Sequence, residues 1–442
     1  MKLPEHIEGC INALEGGGFA AYVVGGCVRD HCLGLQPHDY DMCTAALPEQ
    51  TETVFQDHRL VLAGKKHGTV GVITRGDVVE ITTFRTEGDY QDNRHPEWVA
   101  FVPNVEQDLA RRDFTVNAMA WSPTRGFADP FGGREDLKKK ILRAVGDPEL
   151  RFREDSLRIL RGVRFAVRFN LTPDAKTEEA MFRLAPLMDN LARERVFEEL
   201  CKLLTLVTAQ DLIRFSPVIT QVIPELAPQV GYDQRCCHHI HDLFTHTALV
   251  VENSPADLAL RWAALLHDVG KPDSMTLDAA GQAHYYGHAA RSAELADTIL
   301  RRLKAPTALR ELVVTLIDKH MTMPRPDKKF LRRWLGKLGW ETMDALLALQ
   351  QADTLATGTD HAAEFALFEE VREILAQIQA ENACLSLKDL ALNGHDLMAQ
   401  GFSGKAIGAE LNRLLNLVLE EQCENTREAL LAALNLPEEG TE

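Results

Sequence analysis

Two aspartates one residue apart, Asp39 and Asp41, follow closely on a double glycine, Gly25-Gly26. Carboxylates so spaced can bridge a pair of Mg²⁺ ions about 3.5–4 Å apart, the arrangement used for in-line phosphoryl displacement. Gly25 and Gly26 carry no side chain, so their backbone amides can come close to a phosphate. The stretch Val28–Leu33 that follows reads as a helix, whose first turn offers free N–H groups to an anion. Together these residues supply what is needed to move a nucleotide. Each piece alone has a plainer reading, a strand-to-helix turn and a surface Asp-x-Asp; the order is what argues against chance. Positioning them requires a strand over 20–24 and a second strand carrying Asp39 and Asp41 on one face, since alternate residues of a strand point the same way. Glu80, inside the β-prone run Val79–Arg85, could face them from a neighbouring strand and accept or orient the proton of an attacking hydroxyl. Its other reading is an edge-strand acid facing water.

Three further groups of residues have chemistry in them. Arg111-Arg112-Asp113-Phe114-Thr115-Val116-Asn117 joins guanidinium forks suited to phosphate with an acid and an amide suited to a ribose hydroxyl. Asp155, Arg158, Arg161 and Arg164 recur every three residues, which on a helix puts them on one face. Much later come His238, His239, His241 and His246, then the doublet His267-Asp268 followed by Val-Gly-Lys, then His288, His320 and Asp353. A lone histidine is usually structural; a doublet flanked by further histidines on both sides is not a chance pattern.

The frame around these residues is that of an ordinary soluble protein. The chain has 442 residues and a formal net charge of −17. That length implies several domains, and no stretch of about 20 apolar residues is available to span a membrane. The nine cysteines form no Cys-x-x-Cys pair and no signal-peptide core precedes them, so reduced thiols and a cytoplasmic location are expected. An acidic sum argues against nucleic-acid binding, but distribution matters more. Basic residues crowd between Arg134 and Arg168 and again between Arg325 and Lys337. Both are candidate phosphate tracks, the second equally well a solvated helix face. Short β-prone runs alternate with helices up to residue 145, and the pattern then turns almost wholly helical. Pro217, Pro224, Pro228 and Gly231 mark a boundary. The segment Asn393–Gly408 reads as a helix start that could grip an RNA phosphate, or simply as a capped helix end.

In order along the chain, Gly25-Gly26-x-x-Arg29-Asp30, Asp39-x-Asp41, His67-Gly68-Thr69-Val70, Glu80-Ile-Thr-Thr-Phe-Arg85, Arg111-Arg-Asp-Phe-Thr-Val-Asn117-Ala and Glu154-Asp155-x-x-Arg158 resemble the motifs of the class II tRNA nucleotidyltransferases. These CCA-adding enzymes share their head with bacterial poly(A) polymerases. The resemblance covers residues 15–170. It implies an α+β multidomain chain: a polymerase-β-like head (1–145), a helical neck for nucleotide selection and RNA binding (146–230), a helical body (231–360) and a helical tail binding tRNA (361–442). It also implies roles: Asp39 and Asp41 as Mg²⁺ ligands, Gly26 and Arg29 as triphosphate contacts, Arg112 with Asp113 at the nucleotide, and Asp155 with Arg158 selecting the base beside Arg161 and Arg164. Chemistry supports that selection. Cytosine and adenine each present an amine donor beside a ring-nitrogen acceptor, matching Asp155 and Arg158. Guanine and uracil present the reverse order and would face like groups, which a bidentate contact worth about 1–3 kcal/mol would reject. The polar segment Arg85–Pro96 resembles a loop kept by enzymes that add the terminal A, though it could be a plain surface loop.

The histidine pattern resembles the HD phosphohydrolase domain. That resemblance makes His246, His267, Asp268 and Asp353 the core ligands, with His288 and His320 where two-metal members add theirs. Imidazole plus carboxylate suits Ni, Mn, Fe or Co, and the implied chemistry is phosphoester hydrolysis by metal-activated water. The expected activity is therefore template-independent addition of CCA to the tRNA 3′ end from CTP and ATP, by a monomer or homodimer. A poly(A) polymerase, a phosphohydrolase with an inactive head and a non-catalytic RNA-binding protein are the alternatives.

Overall fold

The computed structural model describes residues 1–88, 99–235, 240–279, 281–358, 361–381 and 383–435. Most of the polar segment 85–96, His238, His239 and the acidic end 437–442 lie outside the described residues. The chain divides into two compact units, 1–227 with 302–304, and 228–301 with 305–442. The division falls between Ala227 and Pro228. Head and neck, expected as separate domains, belong to one unit, because they share a core.

The first unit is built on a sheet of seven strands: β1 (Ala21–Val24), β2 (Met42–Thr44), β3 (Arg59–Val61), β4 (Thr69–Thr74), β5 (Asp77–Thr83), and, after a separate hairpin of β6 (Arg85–Glu87) and β7 (Val99–Phe101), β8 (Ala120–Ser122) and β9 (Gly126–Ala128). The order is β3-β4-β5-β2-β1-β8-β9, and within it only β2 and β5 run parallel. Val23, Val24, Met42, Cys43, Val70, Val72, Val79 and Ile81 are all buried, which gives the sheet its core. Strand β1 ends at Gly25, whose φ of +76° turns the chain into helix α1 (Gly26–Cys32). A side chain there would need a left-handed backbone that only glycine adopts freely.

Beyond the sheet come helices α2 (Pro148–Glu154), α3 (Leu157–Phe169) and α4 (Arg193–Leu204). Phe114, fully buried at the end of the head, packs against Phe152 of α2 and Phe165 of α3, with ring centroids 6.4 and 6.0 Å away. Gly162 lets the ring in: a Cβ there would stand 2.9 Å from its Cζ.

The second unit is helical. Helices α5 (Leu243–Asn253), α6 (Leu258–Leu266), α7 (His288–Arg302), α8 (Thr307–Lys319) and α9 (Lys328–Leu355) surround a core that includes the fully buried Trp262. Helix α9 is interrupted at Gly339. Its residues Leu331, Leu335, Met343 and Leu347 pack with Phe368, Val371, Leu375 and Ile378 of helix α10 (Ala362–Ala380). One apolar cluster thus spans residues 331–378 and includes the position of the break expected between residues 360 and 361. Among the described residues there is no disulfide, and no helix is long and apolar enough to cross a membrane.

Burying Phe114 between head and neck makes that contact a main source of the first unit's cohesion. Phe114→Ala should cost about 3–5 kcal/mol in urea unfolding. A loss below about 1 kcal/mol would mean that head and neck are joined by something else.

Candidate functional site

Asp39, Asp41 and Glu80 line one cavity of about 580 Å³, together with His6, His38 and Tyr40. The two aspartates are not on a strand, contrary to expectation: β2 begins at Met42 and they occupy its lead-in. The cause is the turn at Gly25. The amide of Val24 still donates to the carbonyl of Asp41 at 2.9 Å, but β1 ends there and the ladder goes no further. Glu80 sits between the buried Val79 and Ile81 and therefore points to the opposite, open face of β5. Because Met42 pairs with Ile81 in parallel register, Asp41 comes in beside Glu80. Partial burial pushes the Asp41 carboxyl up, Arg112 pulls it down, and Asp39 pushes it up again. Two acids side by side in one cavity suit a cation.

Arg112 also lies against the glycine turn. A Cβ on Gly25 would stand 2.9 Å from Arg112 Nη1. The fully buried Asp108 holds Arg111 at 2.9 Å and Arg112 at 3.4 Å. Backbone amides at the start of α1 and a guanidinium held over them form an anion cradle beside the acids. Arg29 is more enclosed than a simple phosphate contact would be. It is buried, ion-paired with Asp30 at 2.7 Å, and donates to Asn117 Oδ1 at 2.5 Å. Its guanidinium carbon lies 4.2 Å from the Phe169 ring centroid and 5.5 Å from that of Phe165.

Asp113, expected at a ribose, is fully engaged inside the protein. Its Oδ1 accepts from the Phe114 amide and from Asn117, and its Oδ2 accepts from Arg161 Nε and Nη2 at 3.0 and 2.7 Å. Burial alone would raise its pKa; Arg161 and the Asn117 hydrogen bond outweigh this and bring it down to about 2. It is a positioning residue here.

Asp155 and Arg158 do not share a helix face. The chain leaves α2 at Glu154, Asp155 is extended, and α3 begins at Leu157. Asp155 Oδ1 accepts from the Leu157 amide at 3.1 Å and Oδ2 from Arg195 at 3.0 Å. Arg158 donates to Glu154 at 2.7 Å and to the carbonyls of Arg151 and Arg111 at 3.2 and 3.0 Å. Three of its five N–H donors are thereby used. Arg164 pairs with the buried Glu199 at 2.5 Å. Most of the basic run 134–168 is neutralised in this way, by Glu135, Asp136, Glu149, Glu154, Asp113 and Glu199. Part of the second run is paired too: Lys328 and Arg332 with Glu381, and Arg333 with Glu420. Neither is a bare phosphate track. At Asn393 the side chain caps the following helix in a reciprocal box with Asp396, the plainer of the two readings.

In the second unit all six expected ligands converge. Each histidine has its Nδ1 against a backbone carbonyl: His246 on Ala356 at 3.3 Å, His267 on Ala264 at 2.8 Å, His288 on Tyr285 at 2.7 Å and His320 on Ile317 at 2.6 Å. A carbonyl has no proton to give, so each Nδ1 carries the hydrogen, and in the neutral ring each Nε2 presents a lone pair. Those Nε2 atoms surround Asp268. His267 and His246 lie 3.2 and 3.6 Å from Oδ2, and His288 and His320 lie 3.3 and 3.9 Å from Oδ1. Asp353 approaches His246 at 3.0 Å. His267, His288, His320 and Asp268 are all buried, and the three Nε2 atoms make no hydrogen bond. The ligand atoms form two sets, His246-His267-Asp268 and Asp268-His288-His320, each within 4.8 Å, sharing one carboxylate. Lys271 Nζ lies 2.6 Å from Asp268 Oδ2. Burial would lower the His267 pKa, but Asp268 and then Asp353 carry it up to about 10.

The Poly A polymerase head domain family matches residues 21–143, the probable RNA- and SrmB-binding site of polymerase A matches 170–229, and tRNA nucleotidyltransferase domain 2 matches 288–434. The chain is 32% identical over 442 residues to the CCA-adding enzyme of Latilactobacillus sakei, covering 98% of this chain and 100% of that protein. The chain belongs to the CCA-adding enzyme family. The Geobacillus stearothermophilus CCA-adding enzyme is 48% identical over 207 residues, about half of each chain. The crystal structure of the Bacillus stearothermophilus CCA-adding enzyme in complex with CTP superposes with a TM-score of 0.74 at 28% identity, covering 98% of this chain and 97% of that one. Nucleotidyltransferases of this family use a divalent metal, generally Mg²⁺.

The Asp113–Arg161 pair predicts an acid-sensitive term. A carboxyl whose folded pKa is depressed to about 2 stabilises fully above its unfolded value near 4 and loses that contribution as pH falls through the folded one, about 2 kcal/mol in all. The stability gap between wild type and Asp113→Asn should narrow by that amount between pH 5 and pH 2 in urea titrations. A gap independent of pH would mean the pair is not what holds Asp113.

Proposed function

We infer that the cavity holding Asp39, Asp41 and Glu80 is where nucleotidyl transfer takes place. As a CCA-adding enzyme, the protein adds CCA to the 3′ end of tRNA from CTP and ATP, without a template, and releases pyrophosphate. The tRNA 3′-hydroxyl attacks the α-phosphate of the incoming nucleotide. Asp39 and Asp41 would hold Mg²⁺, which when bound draws charge from the phosphate oxygens and makes the hydroxyl a better nucleophile. Glu80 accepts or orients the hydroxyl proton. The amides after Gly25, with Gly26, Arg29 and Arg112, receive the triphosphate. Asp155 and Arg158 read the base: each Asp155 oxygen has a lone pair left for an amine, and Arg158 has two donors left for a ring nitrogen. The observation that carries this reading is the meeting of Asp39, Asp41 and Glu80 in one cavity, beside an arginine-lined glycine turn.

A second activity is favoured by the histidine centre. Four rings with fixed Nδ1–H groups and Nε2 atoms turned inward fit a transition metal such as Ni, Mn, Fe or Co, to which His267 would bind by releasing its Nε2 proton. His246, His267, Asp268 and Asp353 would hold one ion, and His288 and His320 with Asp268 a second; such ions supply a water made acidic enough to attack a phosphoester at neutral pH. The reading is that of an HD phosphohydrolase.

Purified protein given Mg²⁺ and a tRNA lacking its last three nucleotides should add two residues with CTP and stop after one A when ATP is also present. A long ladder with ATP alone would instead indicate poly(A) synthesis. Asp41→Ala should lower addition by more than about 10³-fold and leave Ni²⁺- or Mn²⁺-dependent release of phosphate from a phosphoester intact. His267→Ala should do the reverse; addition lost there, or hydrolysis retained, would sink the division of labour.

A further inference from the structure

His320 caps the end of α8, and the residues after it, 321–327, form no regular element. Met321 and Met323 on that stretch are exposed. The last carbonyls of a helix have no partner within it, so something outside α8 must hold this turn. The amide of Gln350, 30 positions later on α9, does so. Its Nε2 donates to the carbonyls of His320 and Thr322, at 2.9 Å each. Gln350 is only 2% exposed, and its Oε1 is buried with no hydrogen-bond partner among the described residues. A buried acceptor left unmatched is costly. A side chain kept only to fill space would be apolar, like the neighbouring Leu346, Leu347 and Leu349. What Gln350 contributes is its pair of N–H donors.

The same stretch of α9 reaches other members of the histidine centre. Asp353, one turn on, lies 3.0 Å from His246 Nε2, and the carbonyl of Ala356 meets His246 Nδ1 at 3.3 Å. Positions 350, 353 and 356 follow one helix face in steps of three. Asp353 and Ala356 serve His246, in the first ligand set; Gln350 serves His320, in the set Asp268-His288-His320.

We propose that Gln350 is a positioning residue for the second metal ion, pinning the turn that carries His320 so that its Nε2 stays near Asp268 Oδ1, 3.9 Å away. The proposal rests on the reading of the histidine centre as a two-ion site. The bond from Nδ1 to the Ile317 carbonyl fixes the ring relative to its own helix. Gln350 fixes that helix end relative to α9. Without the amide the first constraint survives and the second is lost, so ring and turn move together and the second ion loses a ligand.

The test titrates Co²⁺ into full-length wild type, Gln350→Met, Gln350→Glu and His320→Ala, each first freed of metal by a chelator. Mg²⁺ in excess occupies the head acids. Bound cobalt is counted by elemental analysis and followed by visible absorption, with melting temperatures alongside. Wild type should take two ions, one for each ligand set, and His320→Ala should lose one of them. Gln350→Met should weaken that same ion about tenfold or more and leave the other within about threefold of wild type. Gln350→Glu keeps the shape, but its carboxylate has no donor, and it should behave like Gln350→Met. If both Gln350 variants lower only the melting temperature and hold both ions within about twofold of wild type, while His320→Ala loses one, Gln350 merely supports the fold and the proposal fails. A single ion in wild type, or both ions kept by His320→Ala, would instead remove the two-ion reading itself. Should Gln350→Met not fold, Gln350→Glu decides on the same terms.

Discussion

A single buried carboxylate ties the first unit together. Asp113 sits where the sheet hands over to the helices and takes Arg161 of α3 on one oxygen, and Asn117 and its neighbour's amide on the other. Asn117 in turn accepts from Arg29 of α1. One acid thus fixes the helix that follows the glycine turn relative to the helix that carries the arginine row. Both carboxylate oxygens being committed, the price of removing Asp113 would be several unsatisfied donors at once. That is why the residue belongs to the scaffold of the site and not to its ligand surface.

The same logic extends to the arginines around it. Guanidiniums packed this closely repel one another unless counter-charges are interleaved, and the chain supplies them from within: Asp108, Asp113, Glu154 and Glu199 each take one or more. Phe165 and Phe169 add rings on which Arg29, Arg161, Arg164 and Arg168 lie, and an arginine stacks on such a face at little desolvation cost. A protein with net charge −17 can therefore carry an arginine-rich centre without being basic as a whole. Its acids are partly the counter-ions of its own binding groups.

Much of this was legible in the residues themselves. The glycine pair, Asp39 with Asp41, Glu80 and the six histidine-centre ligands all stand out because their types and spacing are unusual together, and the structure brings the six ligands to one place. What local spacing could not convey was the break at Asp155. The three-residue rhythm of Asp155, Arg158, Arg161 and Arg164 looks like one helix face, but an extended residue at 155 divides it. The strand expected at Asp39 and Asp41 failed for a similar reason, since a strand's length depends on where its partner turns. Charge pairing was equally hidden: Arg195 reaches Asp155 across 40 positions, and Arg332 reaches Glu421 across 89, so no window of sequence shows that a basic run is already neutralised. Lys271 and Asp108 had weak local signals, the lysine three residues after Asp268 and the acid three before Arg111.

The histidine rings are set by their own chain. Three of the four Nδ1 groups bond to a carbonyl three residues upstream, at the end of the helix or loop that carries the ring. Their orientation is thus fixed by the secondary structure that carries them. In small zinc domains the binding energy of the metal is the folding energy, and a chelator unfolds them. Here the candidate ligands are carried by helices whose packing is apolar. An ion seated among them would be a removable part, one that could leave and return, or be exchanged for another element, while the chain around it keeps its shape.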